Sequence, residues 1–212
     1  MSGILDLLNS DIGKSIVSGV SGQTHQPEEK TNDVLTMALP VLMAAMKRNA
    51  STPQGAEGLM GALNNSKHDG SILDNLSGLF DGGVDQNVME DGSKILGHVL
   101  GNKQANVQNA IGARAGIDAN SVAQILQIAA PILLGMLGKQ TREKQVNNST
   151  GLEDLLGGML SNNSPKQESS FLESILDADG DGSIVDDVAG MVLSGNKKKG
   201  GLGGLLGSIF GK

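Results

Sequence analysis

Residues 34–46 read VLTMALPVLMAAM, and residues 125–137 read ILQIAAPILLGML. The two stretches align without a gap, and Pro40 falls on Pro131. Each stretch is apolar on nearly every side, which is typical of a helix buried at the centre of a domain. Because proline cannot donate to the carbonyl four residues back, we predict a bend near each proline. We expect water or a polar neighbour at the freed carbonyls of Thr36 and Gln127.

Shorter matches flank the two proline stretches in the same order. Residues 13–22 resemble residues 92–101, and residues 55–63 resemble residues 151–159. The order of short helix, long proline helix and short helix therefore occurs twice, and such self-similarity decides how a fold is interpreted. Two copies are too few for an open solenoid. We therefore predict an all-α, compact helical bundle built from an internal duplication, with repeats at about 10–65 and 90–160.

The second copy has extra residues between its first short helix and its long helix. Residues 104–111 predict one more short helix. Gly116 predicts the end of a helix in the left-handed conformation, and Asp118 predicts an N-cap that accepts from free N–H groups.

The composition limits the kinds of protein that this chain can be. It has 212 residues, a net charge of −7, 31 glycines, three phenylalanines and neither tryptophan nor tyrosine, so its core must be aliphatic. It has no cysteine, which excludes disulfides, thiolate metal sites and thiol nucleophiles. The acidic balance and the lack of aromatic stacking residues argue against nucleic acid as a partner.

The N-terminal sequence MSGILDLLNS contains Asp6 and lacks the basic region of a secretory signal. Apolar runs are shorter than the about 20 residues that a membrane-spanning helix needs. We therefore expect a cytoplasmic location.

Catalytic patterns are missing from the sequence. His25, His68 and His98 stand apart from acid–base partners, except that His68 precedes Asp69. No phosphate-binding loop, nucleophile elbow or zinc spacing appears. We therefore predict that the protein is not an enzyme, and no pattern identifies a small-molecule substrate.

An acidic stretch near the C-terminus predicts a calcium site. Asp177, Asp179 and Asp181 alternate and are followed by Gly182, as in the first half of an EF-hand-like loop. Calcium prefers six to eight oxygen ligands, and a tight turn can direct alternate side chains inward. A twelve-residue loop would end at Val188, which cannot bind the metal, so the site departs from the usual pattern. The predicted Ca²⁺ ligands are Asp177, Asp179, Asp181, Ser183, Asp186 and Asp187.

The alternative interpretation is that these acids only cap a helix. Residues 69–80 parallel residues 181–192, and both begin Asp-Gly-Ser-Ile. In the earlier copy, Ser71 and Asp74 have the spacing of a capping box. Lys67 stands there in place of Asp179, so we predict no metal at the earlier copy.

The remaining C-terminal sequence divides into three parts after the duplicated helical domain at 1–161. Residues 162–170 are a polar linker, residues 171–195 are a helical hairpin holding the EF-hand-like acidic loop, and residues 196–212 are a Lys/Gly-rich tail. The tail is either a disordered end, a segment that docks on a neighbouring subunit, or a contact with an anionic membrane. Its predicted contact residues are Lys197, Lys198, Lys199, Leu205, Leu206 and Phe210.

The proline pair, the phrase at 69–74 and the acidic phrase at 177–187 together resemble the bacterial YidB-like family of unknown function. The resemblance covers roughly residues 1–195 and implies a compact all-α domain without an assigned reaction. We predict a structural or interaction protein that is stabilised by calcium and self-assembles or binds a protein partner. The alternative is a peripheral membrane adaptor anchored by the tail.

Overall fold

A computed structural model of the chain describes residues 4–161, and every regular element within this range is helical. The all-α prediction is thereby confirmed at the level of fold class. The predicted linker 162–170, hairpin 171–195 and tail 196–212 lie outside the described residues. The α-helices are α1 (Ile4–Asn9), α2 (Asp11–Thr24), α3 (Glu28–Ala50), α4 (Pro53–Asn64), α5 (Ser71–Asp74), α6 (Leu76–Phe80), α7 (Gln86–Leu100), α8 (Gln104–Ala115), α9 (Ala119–Glu143) and α10 (Ser149–Ser161).

The two proline stretches lie in α3 and α9, which pack against each other in the core. Both helices continue through their prolines, and Pro40 and Pro131 are buried. The largest fully buried side chains are leucine, isoleucine and methionine, as the composition requires. The core is therefore aliphatic, with methionine filling irregular gaps between the helices.

Helix α9 is long and apolar enough to cross a membrane by length and composition. In the structure, 78% of its apolar window is buried. This degree of burial is typical of the core helix of a soluble protein.

Glycines allow the backbone of neighbouring segments to approach α9 closely. A Cβ on Gly92 of α7 would overlap the carbonyl oxygen of Gln127, which is the group that Pro131 leaves without its usual donor. We expected water or a polar neighbour at this carbonyl, and the structure places the backbone of Gly92 against it. A Cβ on Gly138 would similarly overlap the carbonyl of His68, in the 3₁₀ turn Ser66–His68.

Four of the outer helices, α2, α4, α7 and α8, contact both central helices. Helix α2 packs on α3 and α9, and α7 packs on α9 and α3. Helix α4 packs on α3 and α9, whereas α10 packs on α3 and α4. Helix α8 corresponds to the short helix predicted in the second copy and packs against α9 and α3.

Two of the predicted helix ends have the expected geometry. Gly116 ends α8 in the left-handed conformation, with φ 72° and ψ 34°. Asp118 caps α9 and accepts hydrogen bonds from the backbone N–H groups of Asn120 and Ser121.

The predicted capping box at Ser71 and Asp74 is wrong. Ser71 is the first residue of α5, and the cap position is Gly70, which has a positive φ and no side chain. Asp69 instead accepts from the Ser71 N–H at 2.9 Å, while Asp74 lies 3.9 Å from the ammonium of Lys139. Asp69 therefore accepts from a free backbone N–H group at the start of α5.

Candidate ligand-binding groove

A groove of about 510 Å³ lies between α4 and α7. Met46 of α3 and Leu134 of α9 also contribute to its lining. This volume falls within the range of about 300–1,000 Å³ that is usual for small-molecule pockets. Apolar side chains supply most of its lining, namely Met46, Leu59, Ala62, Ile95, Val99 and Leu134.

Small residues on α4 keep the groove open. Gly55 and Gly58 line it, and a Cβ on Gly58 would meet no atom within 4 Å. Gly61 is equally open but does not line the groove. Glycine lowers the stability of a helix interior by roughly 0.5–1 kcal/mol relative to alanine. The open space beside Gly58 is therefore obtained at a cost to the stability of α4.

The start of α4 is set by a tight turn from α3. Pro53 occupies the first helical turn, and the Thr52 hydroxyl accepts from the Gly55 N–H at 3.1 Å. A Cβ on Gly55 would overlap the carbonyl of Asn49, so the turn requires the small residue. This turn fixes α4 at one wall of the groove.

Asn49 joins the end of α3 to the end of α7. Its side-chain amide donates to the carbonyls of His98 and Val99 at 3.1 and 3.3 Å. The last carbonyls of a helix have no donor within the helix. Asn49 satisfies two of these groups and holds α7 at the opposite wall.

A second cavity of about 200 Å³ adjoins the groove and shares Asn49, His98 and Val99 with it. Arg48 and Lys103 also line this cavity. Among the described residues that line either cavity there is no aspartate or glutamate. The described lining of this second cavity therefore includes two basic residues beside an apolar groove.

His68 is the one histidine buried within the described chain, with 5% of its surface exposed. Its Nδ1 lies 2.9 Å from the carbonyl of Ala62, and its Nε2 lies 2.8 Å from Oδ2 of Asp91. Each ring nitrogen therefore lies within hydrogen-bond distance of an oxygen. Both nitrogens are engaged by these two contacts, so the arrangement does not suit catalysis. The contact with Asp91 instead holds the Ser66–His68 turn against α7.

Asp69 and Asp118 each accept hydrogen bonds at the start of a helix, and the pKa of each carboxyl is lowered. The hydroxyl and N–H of Ser121 hydrogen bond to Asp118 and lower the pKa of its carboxyl. Hydrogen bonds from Ser71 lower the pKa of Asp69 in the same way. Hydrogen bonds to the charged form explain both shifts.

The predicted calcium ligands Asp177, Asp179, Asp181, Ser183, Asp186 and Asp187 lie outside the described residues. The predicted tail contacts Lys197, Lys198, Lys199, Leu205, Leu206 and Phe210 also lie outside them. Within residues 4–161, no group of three or more His, Cys, Asp or Glu side chains is placed to hold a metal. His68 stands beside Asp69 in the sequence, whereas the acid that it contacts in the structure is Asp91.

The groove between α4 and α7 was not predicted from the sequence. Its signal is the spacing of Gly55 and Gly58 on one short helix, which also suits simple close packing. His98 and Asn49 come together only because α7 packs beside the end of α3. Neither contact has a local sequence signal.

Comparison with known families gives one match over most of the chain. The family described as "Bacterial protein of unknown function (DUF937)" matches residues 6–140 and 142–212. Neither a curated protein nor a solved structure matches the chain.

Proposed function

The chain belongs to the DUF937 family of bacterial proteins of unknown function, and we propose that it is a non-enzymatic interaction protein that binds an apolar group in the groove between α4 and α7. The predicted resemblance to YidB agrees with this membership, because YidB belongs to the same family. The groove itself is the observation that supports the proposal most directly.

The character of the groove favours binding over catalysis. Its lining is mainly aliphatic, and burial of apolar surface contributes about 25 cal/mol per Å² to binding an apolar group. Among the described lining residues His98 is the one titratable side chain, and none of the others is acidic. His68 is engaged on both nitrogens away from this space. These features suit an apolar ligand or an apolar side of a partner.

Matched tryptophan variants of α4 test the groove with the uncharged fluorescent dye Nile red. Gly58→Trp adds a large side chain beside the open groove, whereas Gly61→Trp adds the same side chain to the same helix outside the lining. We expect the native chain and Gly61→Trp to bind the dye alike and Gly58→Trp to lose most of the binding. Equal dye binding by both variants, or none by the native chain, would overturn the proposal.

We also propose that Asp177, Asp179 and Asp181 bind Ca²⁺ together with Ser183, Asp186 and Asp187. Support comes from the alternating carboxylates before Gly182, which would repel one another without a cation. The capping role of Asp69 in the parallel segment supports the competing interpretation.

Calorimetric titration with CaCl₂ separates the two interpretations. Asp177→Ala and Asp181→Ala should each abolish or strongly weaken the binding isotherm, and Asp69→Ala should leave it unchanged. Identical isotherms for all four proteins would mean that the acids cap a helix. Measuring the solution mass with CaCl₂ and with a chelator then tests whether calcium promotes self-assembly.

We infer that the helical body arose by duplication of the segments at about 10–65 and 90–160. Reciprocal packing supports this inference, because α4 of the first copy packs on α9 and α10 of the second copy packs on α3. The pairs α2 with α9 and α7 with α3 are reciprocal in the same way.

A peripheral membrane role is the second candidate function. It is supported by Lys197, Lys198 and Lys199 before Leu205, Leu206 and Phe210, a pattern that suits an anionic interface. In a flotation assay with phosphatidylserine-containing liposomes, the full chain should float with the liposomes. A variant truncated after Gly195 should stay in the dense fraction. Equal flotation of the two proteins would exclude the tail as an anchor.

A further inference from the structure

We propose that an apolar segment of the same chain, residues 171–176, occupies the groove between α4 and α7 and competes there with other apolar ligands. This inference rests on the proposed function, since it names a partner for the same groove. The segment lies outside the described residues and follows them after the polar stretch 162–170.

The chain leaves the described helices close to one end of the groove. Arg142, near the end of α9, donates to the carbonyl of Leu63 at the end of α4, over 3.3 Å. Helix α10 begins shortly afterwards and packs on α3 and α4. Farther along α10, a Cβ on Gly157 would lie 3.6 Å from Nζ of Lys47, which shortly precedes Asn49 of the groove lining. Helix α10 therefore runs from the end of α4 toward its start, where the groove begins.

The stretch 162–170 is long enough to bring the segment into the groove. Extended chain covers about 3.3 Å per residue, so this stretch spans up to about 30 Å. A helix with its side chains is only about 10–12 Å wide, so the chain can pass around the start of α4. A short tether also gives the segment a millimolar effective concentration, so that a weak contact is sufficient.

The sequence of the segment, FLESIL, matches the chemistry and length of the groove. Its apolar residues have the spacing of one side of a helix, namely Phe171, Leu172, Ile175 and Leu176. As a helix the segment would be about 9 Å long, and the lining on α4 from Gln54 to Ala62 extends over about 12 Å. The mainly aliphatic lining would cover these side chains and remove their apolar surface from water.

Substitutions in the full chain test the competition with Nile red. The double variant Phe171→Ser, Ile175→Ser should bind the dye about three- to tenfold more tightly than the native chain, because the groove is then free for a larger fraction of the time. The control variant Ile209→Ser, Phe210→Ser loses the same two residue types outside the segment and should match the native chain. Unchanged or weaker dye binding by the first variant, or an equal gain in the control, would overturn the inference.

Introduced cysteines test the position of the segment, because the native chain has none. Gly58→Cys combined with Leu172→Cys should form a disulfide within one chain, since bridged residues need α-carbons within about 7 Å. Glu57→Cys combined with Leu172→Cys is the matched control, because Glu57 is exposed and does not line the groove. The control should form its bridge at least about tenfold more slowly. Equal rates, or bridges only between chains, would overturn the inference.

The dye and cysteine results together distinguish this inference from the proposed function. If Gly58→Trp blocks the dye while the segment variant binds it as the native chain does, the proposed function stands and the inference fails. If Gly58→Trp and Gly61→Trp bind the dye alike, the proposed function fails. The cysteine pair then shows separately whether the segment lies against α4.

Discussion

The carbonyl oxygen of Gln127 lies directly against the α-carbon of Gly92. Pro131 removes the N–H that would ordinarily donate to this carbonyl. Without a side chain at Gly92, the backbone of α7 approaches α9 closely enough to occupy the space beside this carbonyl. One glycine therefore joins the proline helix to the helix that walls the groove.

Gly92→Ala should destabilise the protein by at least about 2 kcal/mol, because the new methyl group overlaps the Gln127 carbonyl and separates two packed helices. Gly97→Ala is the matched control on the same helix, since a Cβ there meets no atom within 4 Å. The control should raise stability by about 0.5–1 kcal/mol through helix propensity alone. Urea unfolding measures both, and a Gly92→Ala variant as stable as the control would contradict the packing.

Asp91→Ala should cost about 1–2 kcal/mol, because it leaves Nε2 of the buried His68 without an acceptor. Glu90→Ala removes an exposed neighbouring acid and should change stability by less than about 0.5 kcal/mol. In a His68→Leu background the effect of Asp91→Ala should shrink, giving a coupling energy of about 1 kcal/mol in a double-mutant cycle. Additive effects of the two substitutions would show that the pair contributes nothing.

Asn49→Asp should destabilise the junction of α3 and α7 more than Asn49→Ala does. The carboxylate would face the carbonyls of His98 and Val99 with acceptors only, whereas alanine merely loses the two donated bonds. The expected costs are about 2–3 kcal/mol for aspartate and about 1 kcal/mol for alanine. Asn102→Asp adds the same charge at the same cavity and serves as the control. If thermal unfolding shows that Asn102→Asp lowers the melting temperature as much as Asn49→Asp does, Asn49 does not join the two helices in the way described.

Asp118→Ala should destabilise the protein at neutral pH and have little effect in acid. Hydrogen bonds from Ser121 hold the pKa of Asp118 below its ordinary value, so the unfolded chain takes up the proton first as the pH falls. The stabilisation is therefore present above about pH 4 and is lost as the pH falls through the lower folded-state pKa. Urea midpoints across this range test the claim, with the exposed substitution Gln124→Ala as a control whose effect should not vary with pH. If the urea midpoints of Asp118→Ala and the native chain differ by the same amount at every pH, the carboxylate of Asp118 is not the source of the stabilisation.

Much of the helical framework was predictable from local sequence. The two proline stretches predicted long buried helices, and they are α3 and α9. The end of α8 at Gly116 and the start of α9 at Asp118 were also predicted, because a left-handed glycine and a capping carboxylate act through residues next to them in the chain. The capping box at Ser71 failed because Gly70 places a left-handed turn between the acid and the helix.

The sequence by itself determined the helical class, the aliphatic core and the boundary between α8 and α9, since these depend on composition, periodicity and contacts between near neighbours. Only the tertiary structure decided that Gly92 faces Gln127, that His68 meets Asp91, and that Asn49 reaches the end of α7. Each of these contacts joins residues far apart in the chain, and its geometry depends on how closely two helix backbones approach. The groove exists for the same reason, because it is the space left between α4 and α7 once those packing distances are set.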